Sequence, residues 1–135
     1  MTAKEFLSKA YQLDVEINNK IEIMESMHAI ATKATATFSQ VPPSGTRDVH
    51  QLEGTLAKIL DTDIELSRML KRLVDLKAEI LLAINEVENQ ECRLLLEMRY
   101  LRFMTWEQIA AELNYNVRHV YRVHYEALAM VKVPA

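Results

Sequence analysis

The chain has 135 residues, enough for one core and a small satellite, with two Gly, three Pro and half of its residues apolar. So few turn residues exclude a sandwich or barrel and indicate an all-α protein. The lone cysteine, Cys92, excludes an internal disulfide framework, and a net charge of −3 excludes a polycation that coats nucleic acid indiscriminately.

No apolar run approaches the roughly 20 residues of a membrane span. Lys4, Glu5 and Lys9 interrupt any signal-peptide pattern at the start, so no membrane association and a cytoplasmic location are expected.

Thr2-Ala3-Lys4-Glu5 has the form of a capping box, which predicts a helix from the first residues. Phe6, Ala10, Leu13, Ile17, Ile21, Met24 and Met27 then recur in steps of three and four, one stripe of a long amphipathic helix reaching about Phe38. Val41-Pro42-Pro43-Ser44-Gly45-Thr46 must break it. Asp48 offers a cap for a second helix, whose seam runs Leu52, Leu56, Ile59, Asp63, Leu66, Leu70, Leu73, Lys77, Ile80, Ile84 and Val87. Its steps alternate four and three, a heptad pattern in which Asp63 and Lys77 take normally apolar positions as edge residues or register-fixing contacts.

Two helices of about 36 and 40 residues, each roughly 55–60 Å long, joined by a short turn predict a long antiparallel hairpin over residues 1–88. Leu60, Ile64, Met69, Val74, Leu76, Leu81 and Leu82 lie beside or off the seam. That is more apolar surface than one partner helix covers, and it points to a homo-oligomer, a dimer in the first instance.

Residues 89–135 follow a different pattern of short helices. Leu94, Leu95, Met98, Leu101 and Phe103 form one apolar segment, and Thr105-Trp106-Glu107-Gln108 is a second capping box that starts a helix through Leu113. Asn114-Tyr115-Asn116 supplies a tight turn, with Asn114 suited to the left-handed conformation and Asn116 to capping a last helix from about Val117 to Val131. Ile109, Ala110, Leu113, Tyr115, Val120 and Val123 satisfy the packing of a helix-turn-helix, with a small residue where the helices cross.

Charge is uneven along the chain. Residues 1–89 carry ten Lys and Arg against fourteen Asp and Glu, whereas residues 90–135 carry six against five. Asn116–Tyr125 holds Arg118, His119, Arg122 and His124 and no acid, the one locally basic stretch.

Residues Thr105 to Val131, TWEQIAAELNYNVRHVYRVHYEALAMV, resemble region 4 of the sigma-70 class of bacterial transcription initiation factors. Thr105, Glu107, Gln108, Ile109, Leu113, Val120, Val123, Ala127 and Leu128 match without a gap, and Arg93 to Phe103 resembles the preceding helix. Asn114 stands where that family usually has glycine. Joined to a long hairpin, this end resembles small regulatory proteins encoded by phages and prophages.

The resemblance implies a DNA-binding transcriptional regulator whose last helix lies in the major groove. Asn116, Arg118, His119, Tyr121, Arg122 and Tyr125 would face bases and phosphates, and Thr105 and Trp106 would sit over the backbone. Double-stranded DNA is the expected partner and RNA polymerase a second one. Two other readings stay open: a phage small-terminase-like packaging protein, and a protein-only adaptor of the transcription machinery.

No enzyme, cofactor or metal site is expected. His119 and His124 stand five apart on a helix and point in divergent directions, and no glycine-rich phosphate loop occurs.

Overall fold

The computed structural model describes the backbone of residues 1–40 and 46–135 and the side chains of residues 1–36 and 50–135. The expected Pro-Pro-Ser-Gly break lies outside the described residues, and α2 begins at Thr46, two residues ahead of the cap expected at Asp48, whose backbone is already helical. The elements are α1 (Ala3–Gln40), α2 (Thr46–Asn85), α3 (Gln90–Leu96), a π-helical turn (Glu97–Leu101), α4 (Trp106–Leu113) and α5 (Val117–Met130). The protein is all-α, with no strand among the described residues. None of the described helices is long and apolar enough to cross a membrane.

Two compact units divide the chain, one of residues 15–71 and one of residues 1–14 with 72–135. The division falls within α1 and α2.

In the unit of residues 15–71 the two helices run antiparallel. Lys20 Nζ lies 3.9 Å from Glu65 and His28 Nε2 3.5 Å from Asp63, so residue numbers fall on one helix as they rise on the other. Asp63 therefore uses its seam position for a cross-helix polar contact. Met24, Ala31 and Ile59 form the buried cluster, with Met27 and Leu66 packed against it. Of the seam residues expected to be covered, Leu56 and Leu70 are exposed, while Met69, off the expected seam, is half-buried beside Leu70.

The other unit has the larger core. Leu7, Ile80, Ile84, Val87, Cys92, Leu95, Leu96, Ile109 and Val120 are fully buried. α2 stops at Asn85, and the amides of Glu86 and Val87 close back on the carbonyls of Ala83 and Ile84. Asn89 then caps α3 by accepting from the Cys92 amide at 3.0 Å, and Arg93 donates to the Val87 carbonyl at 2.8 Å, tying this helix start to the end of the one before. Cys92 packs as a small apolar group; burial first, then the charges of Glu126 and Glu91, push its thiol pKa up.

Candidate nucleic-acid interface

The connection into α4 widens from the α-helix of the sequence pattern into a π-helical turn. The Arg102 amide donates to Glu97 at 3.1 Å, five residues back, and the Met104 amide to Met98 at 3.1 Å. Phe103 pays for the reversal with φ 56°, a left-handed conformation unusual for a bulky residue. Its ring is held edge-on to Tyr11 at 5.6 Å and under the Lys77 ammonium at 4.5 Å, which also gives the second polar seam residue its contact. Arg99 donates to the Met104 carbonyl at 2.9 Å and fixes the loop from the other side.

Thr105 and Gln108 form the expected capping box. The Gln108 amide donates to Thr105 Oγ1 at 3.2 Å, and the Thr105 amide donates to Gln108 Oε1 at 2.9 Å. At the far end of α4, Asn114 adopts φ 59°, ψ 39°, and its amide donates to the Ala110 carbonyl, as does that of Tyr115 at 2.9 Å. Asn116 Oδ1 then accepts from the His119 amide at 2.7 Å and starts α5. Ile109 and Ala110 on α4 and Val120, Val123 and Ala127 on α5 are buried, and α5 packs against both α3 and α4. This is a helix-turn-helix supported by a third helix.

Arg118, Tyr121, Arg122 and Tyr125 fall at steps of three, one and three along α5 and make one exposed stripe. Tyr121 is 49% and Tyr125 79% exposed, high values for rings of this size. Asn116 and Thr105 are exposed at the two helix starts. Guanidinium groups that donate in pairs, phenol hydroxyls and open ring faces are all presented on this stripe.

Three residues of the basic stretch and its surroundings sit differently from the sequence expectation. His124 is buried rather than part of the charged surface. Tyr100 Oη lies 2.6 Å from His124 Nε2, and the Trp106 ring meets the imidazole edge-on at 4.5 Å. Burial first, then the charges of Lys4 and Arg99, lowers the His124 pKa to about 4; burial raises that of Tyr100 to about 12, with Arg99 opposing. Between those values the phenol keeps its proton and the ring is neutral, so Tyr100 donates and His124 accepts.

His119 is half-buried. A guanidinium only donates, so His119 Nδ1 accepts from Arg122, which leaves Nε2 directed to Glu91 Oε1 at 3.8 Å. Tyr115 meets the same imidazole edge-on at 4.3 Å. Its phenol pKa is raised by desolvation and then by the Glu91 carboxylate, with which it hydrogen-bonds. Glu91 on α3 thus brings an acid beside a stretch that is acid-free in sequence, a neighbour that no local pattern announces.

Trp106 is half-buried rather than open. The Arg99 guanidinium lies 4.2 Å above its ring, and Tyr121 meets it edge-on at 5.3 Å, so Trp106 braces the exposed stripe from beneath.

A search against protein families, curated proteins and solved structures found no match to this chain.

Proposed function

We propose that this protein is a DNA-binding regulator of transcription of the phage or prophage kind, acting on duplex DNA through α4 and α5. The observation that carries the reading is the exposed stripe of Arg118, Tyr121, Arg122 and Tyr125 on the second helix of a helix-turn-helix. A major groove about 12 Å wide admits such a helix. Within it, an arginine donates bidentately to guanine, and a tyrosine offers its ring to a thymine methyl or its hydroxyl to a phosphate. The resemblance of Thr105 to Val131 to region 4 of sigma-70 factors supports the same use of these helices, with RNA polymerase as a second partner and the cytoplasm as the setting.

Arg122 is held by His119 and, through it, by Glu91. A guanidinium restrained before contact loses less side-chain freedom on binding. Two arginines in the stripe neutralise few phosphates, so a single copy binds weakly and its salt dependence is shallow.

Selection of retained duplexes from a random pool tests the reading. Enrichment of one sequence element is the expected result. A pool that is never retained at low salt contradicts it and leaves these helices to a protein partner.

A further inference from the structure

On α2, Glu53, Ala57, Leu60, Ile64, Ser67 and Lys71 follow one another in steps of four, three, four, three and four, and all six are exposed. This is a second seven-residue repeat on a helix whose first repeat, through Ile59 and Leu66, already packs within its own unit. Leu60 is 59% and Ile64 44% exposed, and Leu56 beside them is 47% exposed. From Leu60 to Ile64 the row presents adjacent branched side chains, flanked by the small Ala57 and Ser67 that let a second helix approach closely.

The row is self-complementary. Glu53 and Lys71, Ala57 and Ser67, and Leu60 and Ile64 are each placed symmetrically about Thr62. Laid against an antiparallel copy of itself, the row puts Leu60 on the partner copy's Ile64, sets each alanine against a serine, and closes both ends with a glutamate facing a lysine. A parallel copy would set glutamate against glutamate and lysine against lysine, so charge selects the antiparallel arrangement. A two-fold axis requires this reciprocity, in which each residue meets its counterpart twice. Within its own chain Glu53 has an exposed contact, the His50 ring at 3.7 Å.

From this register we infer that the outer face of α2 between Glu53 and Lys71 is the docking surface for a second copy of this chain, paired antiparallel about an axis beside Thr62. The interface joins two hairpins and is independent of any nucleic acid.

Light scattering of the full chain without DNA tests it. The expected mass is twice the 15.6 kDa of one chain. Leu60→Glu with Ile64→Glu returns it to one chain mass with helical content unchanged, since both side chains are exposed in the single copy. Glu53→Lys alone raises the dissociation constant by about tenfold, and adding Lys71→Glu restores it, because two like-charged contacts, one at each end, become two opposite-charged pairs again. A wild-type chain that stays single at its highest soluble concentration overturns the inference. So does a dimer indifferent to the Leu60 and Ile64 substitutions, and a charge swap that fails to restore association overturns the antiparallel register.

Discussion

Residues 15–71 hold together along a line, while residues 72–135 with the first fourteen hold together around a volume. In the first unit Met24, Ala31 and Ile59 form the buried cluster, and the cross-helix polar contacts Lys20–Glu65 and His28–Asp63 are solvent-exposed. Such pairs contribute little in water. In the second, five helices each contribute fully buried side chains, Leu7, Ile84, Leu95, Ile109 and Val120 among them, and the Tyr100–His124 pair is buried as well. A two-helix seam gives each side chain few neighbours, so a lost methyl group leaves little cavity that water cannot fill. A convergent core gives each side chain many, and it can hold a surface helix still. The exposed stripe on α5 needs the second kind of support, whereas a long hairpin with a spare face suits joining copies.

The sharpest way to break this contrast is to hollow out each unit in turn. Leu95→Ala should cost about 2–5 kcal/mol in urea denaturation, the range for a large buried side chain cut to a methyl. Ile59→Ala should fall at or below about 2 kcal/mol, because fewer groups surround it. Equal losses would show that the hairpin carries a core as dense as the other unit.

A pH series probes the second unit alone. The folded pKa of His124 is lowered to about 4 from an ordinary 6.5, so the unfolded chain binds the extra proton first. Its contribution is fully present above pH 6.5 and is lost as pH falls toward 4, amounting to about 3 kcal/mol at most. His124→Gln, which retains an acceptor for Tyr100, should flatten that slope between pH 6.5 and 4. A slope that survives the substitution would assign the loss to other groups.

Smaller effects sharpen the account of the turn. Thr105→Ala removes one half of the capping box and should cost about 1 kcal/mol. Asn114→Gly should be neutral or stabilise by a few tenths of a kcal/mol, since glycine takes φ 59° without a Cβ to accommodate. A destabilisation from Asn114→Gly would mean that the asparagine side chain contributes more than its backbone tolerance.

Most of the architecture is written in local patterns. The stripe from Phe6 to Met27 is buried or half-buried at every position named, both capping boxes form, and Asn114 and Asn116 take the turn roles that their side chains favour. The exposed face of Arg118, Tyr121, Arg122 and Tyr125 follows from the same 3.6-residue arithmetic.

What local pattern leaves out is whatever depends on a distant element. Burial of His124 requires Tyr100 from the π-helical turn, and the acid beside His119 comes from α3. The left-handed Phe103 is set by Tyr11, Lys77 and Arg99, none of them sequence neighbours. Even the exposed Leu56 and Leu70 reflect which face the opposing helix covers, which a heptad count on one helix does not contain.

The proposed contact of the α5 stripe with DNA phosphates and bases through its two arginines is tested most directly by a salt titration. Binding of wild type and of Arg118→Ala with Arg122→Ala to one selected duplex would be measured by fluorescence anisotropy across a range of salt. The double variant, folded as judged by circular dichroism, should bind at least about tenfold more weakly, and its log–log salt slope should fall by about 2 for each bound copy. An unchanged affinity and slope in a folded variant would contradict the claim.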